Sequence, residues 1–478
     1  MRVSAEEEDR SKNWRRWLSL SCVFLAGCGT FERGSKEEQV VTSCTCLVPQ
    51  QLEDETVFDG REFDLYELLD VALKRNPATR IAWHQIGIAS AAKKKIDSVF
   101  YPSVDVSFKG IRAEQLGTPV VDENKAVRMK QNLSTVFSPE LDIHYSLFKF
   151  GAHKEASQAA LRNLEAAHFQ LNQAVQDVIF YVALAYFGLD SALATVEANQ
   201  QNLEDAQVAL DVARNRHESG LASKQDLLKA QAAYSAAVFD LESSQSAVAA
   251  AQSKLALALG IHVSPKLKII RVTTVVTPPV DEIEVTLKKA LGDRQDLRAL
   301  EKKFLEKKHQ LRSKERDAYP ELITGLTASR QKIRHVSGMY NNFSAYIGVQ
   351  WNIFDGFSRM ADRIMAREEM KIAALELQAK ELDVTSQVWE HFFALKSAKQ
   401  KLEAAKESEN CAQEAFNYTR EAYQNGLCSF TDLLTSQNAL SLARRQLVCA
   451  KNDLSIEWVQ LAHASGQALK KDDIYEKI

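Results

Sequence analysis

The sequence predicts a mainly α-helical protein built from two similar halves, each of which also carries a pair of β-strands. Residues 151–220 and 356–426 form two proline-free stretches rich in Ala, Glu, Gln, Leu and Lys. Such long uninterrupted segments are typical of coiled coils rather than of ordinary globular helices. Each follows an alternating segment that ends in an aromatic corner, at Phe148 or Phe354, and each ends at a similar glycine turn at the same distance. The matching layout indicates an internal two-fold repeat.

Composition excludes several classes of function. The 478 residues include 60 Lys and Arg and 63 Asp and Glu, with a formal net charge of −3. The two signs are interspersed, so no basic surface for nucleic acid is predicted. The ten histidines are scattered without a zinc-ligand spacing, and no Gly-rich phosphate loop is present. We therefore predict no catalytic residue, cofactor or metal site, and we expect any energy source to belong to a partner.

The N-terminus is interpreted as an export signal. Basic residues precede a short apolar run at 17–26, which is too short to span a membrane. The run ends in Leu-Ala-Gly before Cys28, which resembles the bacterial lipobox. The resemblance implies that residues 1–27 are removed and that Cys28 carries lipid. Gly29 follows instead of the aspartate associated with inner-membrane retention, so the outer membrane is the expected destination. The alternative is a chance match in an apolar leader.

Residues 28–60 are predicted to be a tether between the lipid and the folded body. Cys44 and Cys46 lie in this tether. These two cysteines could form a disulfide, bind a metal or have no special role. We favour no structural role for them.

The first repeat is predicted over residues 61–260. A helix begins near Asp64, is interrupted at Asn76-Pro77 and resumes to about Phe100. Pro139 is expected to mark a bulge or an edge position in the second strand. The remaining elements are strands at about 103–114 and 132–148, a long helix at about 151–217 and a return helix at about 223–259.

The second repeat is predicted over residues 281–466, after an extended linker at 261–280. Its elements follow in the same order, and residues 467–478 form a C-terminal tail. They are a helix at about 281–318, strands at about 321–332 and 342–354, a long helix at about 357–423 and a return helix at about 429–465.

The four strands alternate apolar and polar residues over about 10 residues each, which is the length and pattern of membrane-spanning β-strands. We recognise no transmembrane helix in the sequence. Because four strands leave open edges that lipid cannot satisfy, several chains would have to share one barrel. A soluble antiparallel sheet packed on helices shows the same alternation and is the alternative.

The helices are expected to form a wall. Two shorter helices placed end to end match one long helix in length, and frequent alanines on their apolar faces permit close approach of neighbours on both sides. Together with the strands, this predicts a long antiparallel α-helical barrel.

At this point the sequence closely resembles the TolC/OprM-like outer-membrane efflux protein family, over about residues 60–466. The resemblance rests on the two aromatic corners, the repeated order of elements and the twin Gly-Leu-x-Ser-x-x-Asp-Leu-Leu turns beginning at Gly220 and Gly426. It implies a homotrimer in which four strands per chain build a shared 12-stranded barrel in the lipid of the outer membrane, above a periplasmic helical tunnel. It also implies a periplasmic adaptor protein and an inner-membrane transporter as partners.

The resemblance carries over three residues of the turns. Asp432 matches an aspartate that lines the periplasmic constriction, and Tyr423 and Asp226 match a tyrosine–aspartate link that holds the helices closed. Two departures weaken this expectation, because Thr435 replaces a second aspartate and Cys428 replaces a gate arginine found in some members. Helix capping is the alternative role for the two aspartates. The expected adaptor-docking surface is Gly220, Leu221, Ser223, Gly426, Leu427 and Ser429.

The leading functional prediction is a passive exit duct of an efflux or export system. Type I protein secretion would use the same architecture. A lipid-anchored periplasmic coiled-coil scaffold without a pore is the alternative from another class, and the alternation of the strands argues against it.

Replacing Cys28 by alanine should abolish incorporation of labelled palmitate, because Cys28 is the predicted lipid attachment site. Metabolic labelling of cells expressing the variant measures this, with Cys44→Ala as the control that should retain the label. Label persisting in Cys28→Ala would contradict the lipoprotein interpretation.

Overall fold

The computed structural model describes residues 61–121, 127–263, 267–271, 282–333 and 338–467. The predicted signal sequence, Cys28, Cys44 and Cys46 lie outside these residues.

The first half contains four helices and a long β-hairpin. A short strand β1 (Glu62–Phe63) pairs in parallel with β4 (Lys268–Ile269), which follows the first half. The helices are α1 (Leu65–Arg75), α2 (Pro77–Asp97), α3 (Ala152–Glu218) and α4 (Lys224–Leu259), and the hairpin strands are β2 (Ser103–Val121) and β3 (Val127–Phe148).

In the second half the elements come in the same order. They are α5 (Ile283–Asp293), α6 (Gln295–Arg316), β5 (Glu321–Ile333), β6 (Tyr340–Gln350), α7 (Ser358–Gln424) and α8 (Phe430–Ala464). The helix expected at about 281–318 is not continuous, because α5 ends and α6 begins around Arg294. The strand expected to reach residue 354 ends at Gln350.

A joint between short helices occurs in each half. In the first half, Asn76 caps α2 and its Nδ2 donates to the carbonyl of Ala258 in the last turn of α4, at 2.8 Å. Gly260 ends α4 with a φ of +72°, and a Cβ at this glycine would lie 2.8 Å from the Cα of Asn76. The close approach brings the start of α2 against the end of α4.

The second joint uses different side chains. Arg294 is buried, and its Nη1 donates to the carbonyl of Ala464 at 3.1 Å and to Oε1 of Gln387 at 2.9 Å. Gly466, with a φ of +71°, packs against the backbone of Arg294. Arg294 therefore joins the break between α5 and α6 to the end of α8 and to α7.

The helices pack side by side in a fixed order. Two pairs of shorter helices, α2 with α4 and α6 with α8, each form a column in which one helix follows the other end to end. The α2–α4 column packs on α3, and α3 packs on the α6–α8 column. The α6–α8 column in turn packs on α7. The long helices α3 and α7 therefore alternate with columns made of shorter helices. Around the joints lies the main hydrophobic core, with Val182, Tyr186, Leu255, Val388 and Leu454 among its buried side chains.

Within the described residues, α3 is long and apolar enough by composition to cross a membrane, contrary to the expectation that no such segment is present. Its apolar residues Val178, Val182 and Tyr186 are buried in the main core. Packing against the other helices thus buries part of the apolar stretch, 33% of its most apolar 18 residues.

The four long strands form one antiparallel sheet in the order β2-β3-β5-β6. Its register runs Val106–Leu141–Ala328–Phe343 across one face, and the neighbouring row Asp105–Asp142–Thr327–Ser344 across the other. The predicted alternation is confirmed by this register. The apolar face is open, since Phe108 is 82% and Ile347 is 75% exposed.

Pro139 lies within β3, opposite Phe108, and the register with β2 continues through it without a shift. Toward β5 the pairing has a gap between Phe137 and Glu140, which includes Pro139, and resumes in the same register. Pro139 thus interrupts one side of the ladder, but because β3 has a neighbour on each side and no register shift occurs there, the expectation of a bulge or an edge position is wrong.

Replacing Gly260 by alanine should destabilise the protein by about 2 kcal/mol or more, because the left-handed conformation and the clash with Asn76 add. Gly220→Ala is the matched control, since Gly220 has a φ of +73° and open space around it. It should cost only the left-handed penalty, about 1–2 kcal/mol, without the added clash. Denaturant unfolding of the detergent-extracted protein, followed by circular dichroism, measures both. Equal losses would contradict the described joint.

Candidate functional site

Two helical hairpins end side by side, and their turns and the adjoining helix ends contain the predicted site residues. The first tip, residues 219–223, joins α3 to α4, and the second tip, residues 425–429, joins α7 to α8. Gly220 and Gly426 adopt φ of +73° and +79°, in the left-handed region that glycine tolerates best. The two tips therefore share the same backbone conformation at the glycine.

Both tips close with the same pair of backbone hydrogen bonds. The N–H of Gly220 donates to the carbonyl of His217 at 2.9 Å, and the N–H of Gly426 donates to the carbonyl of Tyr423 at 3.0 Å. The N–H of Leu221 donates to the carbonyl of Arg216 at 2.7 Å, and the N–H of Leu427 donates to the carbonyl of Ala422 at 2.8 Å. This is the Schellman pattern of a helix C-terminus. Leu221 and Leu427 are 70% and 80% exposed, so each tip presents an apolar side chain to solvent.

The two aspartates cap the return helices. Oδ2 of Asp432 accepts the hydroxyl of Ser429 at 2.7 Å and the backbone N–H of Ser429 at 3.0 Å. Oδ2 of Asp226 accepts the hydroxyl of Ser223 at 2.8 Å in the same arrangement. The donors on Ser429 lower the pKa of Asp432. Both residues have the capping role that was the alternative, while the constriction role of Asp432 stays a prediction.

Tyr423 is buried, with 3% of its surface exposed. Its ring lies 5.6 Å from that of Phe430, within a second apolar cluster that also contains Leu210, Phe416 and Leu433. Burial raises the pKa of the Tyr423 phenol. Its hydroxyl makes no hydrogen bond to any residue that the structure describes, so the expected bond between Tyr423 and Asp226 is not formed here.

Arg216, to which sequence reasoning gave no role, connects the two tips. Its Nη1 donates to the carbonyl of Tyr423 at 2.5 Å and to that of Gln424 at 3.2 Å. Its guanidinium also lies 4.8 Å from the centre of the Tyr423 ring. The sequence offers one signal for this role, which is that Arg216 is a basic residue in the last turn of a long helix. Such residues commonly bind the carbonyls of helix C-termini.

The two departures from the family pattern lie outside this contact. Cys428 donates through Sγ to the carbonyl of Thr419 at 3.5 Å, and burial raises the pKa of its thiol. Thr435 donates to the carbonyl of Thr431 within its own helix, at 2.8 Å. Across the described ranges, no group of three or more His, Cys, Asp or Glu side chains is placed to hold a metal ion.

The fold is that of known outer-membrane channels. It superposes on the outer-membrane channel OprN with a TM-score of 0.75 at 19% identity, covering 84% of this chain and 90% of that one. On CusC the TM-score is 0.72 at 19% identity, with 88% and 97% covered. On VceC from Vibrio cholerae it is 0.73 at 17% identity, with 85% and 97% covered.

The sequence comparisons agree with this fold. The sequence model of the outer membrane efflux protein family matches residues 68–261 and 286–467, and the chain belongs to this family. Protein CyaE of Bordetella pertussis is 28% identical over 409 residues, which is 84% of each chain. Nodulation protein T of Rhizobium leguminosarum bv. trifolii is 21% identical over 409 residues, 83% of each chain. Family membership places the protein in the outer membrane.

Replacing Ser429 by alanine should weaken the start of α8 by about 1 kcal/mol, because the two hydrogen bonds of the hydroxyl with Asp432 are lost while the backbone bond remains. Ser223→Ala should do the same at α4, and each change should leave the other tip unaffected. Hydrogen exchange measured by mass spectrometry on the tip peptides tests this. Ser436→Ala, within α8, is the control, and equal exchange in all variants would contradict the capping role.

Proposed function

We propose that this chain is one protomer of a homotrimeric exit duct, through which an export system passes its substrates across the periplasm and the outer membrane. The observation that carries the proposal is the four-stranded sheet, with an exposed apolar face and two open edges. The family membership supplies the class of system.

The sheet supports sharing of a barrel among chains. In the described part of the chain, β2 and β6 each pair with one neighbour, so each leaves a row of backbone groups unpaired. Lipid cannot satisfy those groups, and membrane barrels begin at about eight strands. Three copies, the number that the family resemblance implies, would give a closed barrel of 12 strands.

The helical layer supports the same closure. The two outer members of the layer, helix α7 on one side and the α2–α4 column on the other, carry exposed apolar side chains along their length. On α7 these include Ile364, Ile372, Leu375 and Leu382, and on α2 and α4 they include Ile81, Ile88 and Phe239. A neighbouring copy that places its α7 against the α2–α4 column would bury both faces and close a tube.

The tips are proposed to meet the periplasmic adaptor protein, which docks an inner-membrane transporter. Leu221 and Leu427 are exposed and are held by the rigid turns of Gly220 and Gly426. We propose that Cys28 anchors the chain to the outer membrane by lipid. The duct is passive, and the docked transporter supplies energy and selects the cargo, so a type I protein secretion pump could use the same duct.

The test is conductance in planar lipid bilayers, with block by a trivalent cation. Wild-type protein should conduct. Asp432→Asn should weaken block by roughly tenfold or more if a ring of three carboxylates lines the constriction. Asp226→Asn is the matched control, because Asp226 makes the same cap in the other hairpin and should leave block unchanged.

Two outcomes would contradict the proposal at different points. Absence of conductance in wild-type protein would contradict the duct. Equal block in both variants and wild type would show that Asp432 acts only as a cap.

A further inference from the structure

We infer that Arg216 supplies the polar contact that joins the ends of α3 and α7 next to the two tips, beside the apolar cluster that both hairpins share, and that it thereby positions the periplasmic end of the duct. The inference rests on the proposed function, since it assigns a conformational role within that duct. It replaces the tyrosine–aspartate link expected from the family resemblance.

The first argument is the electrostatics of the helix ends. Helix α7 ends without a basic residue in its own last turn, whereas α3 has Arg216 and His217 there. The carbonyls of Tyr423 and Gln424 belong to the last turn of α7, where the helix dipole favours a positive charge. Arg216 donates to both carbonyls, so the first hairpin supplies the charge that the second lacks.

The second argument is the position of the guanidinium over the Tyr423 ring. A cation at 4.8 Å from an aromatic centre is attracted by the ring face, and more strongly when the pair is shielded from water. Arg216 is half-buried and Tyr423 is buried. One side chain therefore makes two kinds of contact with the same turn of α7.

The third argument is that the Tyr423 hydroxyl contributes no bond between the hairpins. Its oxygen is buried and has no partner among the described residues. A buried hydroxyl without a partner destabilises the fold rather than adding stability. The ring of Tyr423, not its hydroxyl, is the part that Arg216 uses.

Other polar contacts between the hairpins lie at a distance from Arg216 or are long. Lys229 and Thr431 are 3.4 Å apart. Arg444 of α8 donates to Asp205 of α3 at 2.7 Å, about 16 Å along the helix from Arg216. Separation of the tips must therefore break the Arg216 contacts. The Arg444 contact lies further from the tips and can keep the hairpins together there.

In a trimer, three such pairs of tips surround the axis at the periplasmic end. In the proposed duct, moving the second tip away from the first in each copy widens that end. Arg216 therefore opposes a change in aperture, and an adaptor that opens the duct has to displace it.

The test compares four variants by bilayer conductance and by hydrogen exchange at residues 424–428. Arg216→Ala should increase the open fraction about fivefold and the exchange rate about tenfold, because charged hydrogen bonds and a ring contact are lost. Arg216→Lys should give an intermediate effect, since lysine donates to carbonyls but lacks the planar group. All variants should retain the wild-type melting transition, which excludes a general loss of folding.

Two controls separate the possible explanations. Arg214→Ala removes an exposed arginine two residues away and should match wild type. Tyr423→Phe retains the ring and removes only the unpartnered hydroxyl, so its open fraction and exchange rate should not rise above those of wild type. If Arg216→Ala behaves like Arg214→Ala, the inference is wrong. If Tyr423→Phe opens the duct as much as Arg216→Ala, the tyrosine hydroxyl is the link instead. Absent conductance with altered exchange would contradict the duct and leave the Arg216 contact supported.

Discussion

Unpaired edges are the constraint on which the remainder of the structure depends. Within the described residues the sheet ends at β2 and β6, and the helical layer ends at the α2–α4 column on one side and at α7 on the other. Backbone groups of an open sheet cannot be left unsatisfied in lipid, and apolar helix faces are not stable in water. In the proposed trimer, further copies of the chain would pair with β2 and β6 and cover the outer helices. The sheet and the helices belong to one chain, so the same arrangement of copies would serve both layers.

The glycine joints explain how a layer of such length is built. Gly260 and Gly466 bring the end of each return helix against the start of a shorter helix, so two helices together span the length of one. Asn76 and Arg294 then satisfy carbonyls at those helix ends, which would otherwise be buried without partners. At the opposite end of each return helix, a serine–aspartate cap fixes where it starts. The length of the layer thus depends on a few backbone contacts at its joints and tips.

Local signals in the sequence define the long elements, and contacts between distant residues do not follow from them. Pro77 and Asn76 show the first joint, because proline favours a helix start and asparagine caps it. The second joint has no proline, and its Arg294 bonds to residues far along the chain, so the break was missed. The tip caps follow from the spacing of serine and aspartate. The contact of Arg216 with Tyr423 joins residues 207 positions apart, and no local pattern encodes it. The position of Pro139 is not predictable from the local sequence, because the order of all four strands decides whether β3 is an edge strand or an inner strand.

Single-particle imaging of the detergent-extracted protein tests the central claim most directly. We expect a three-fold tube with a short barrel at one end and a helical body on the order of 100 Å long, since each long helix has 67 residues. A monomeric or dimeric rod without a barrel would contradict the duct, and would show that the apolar face of the sheet serves another contact.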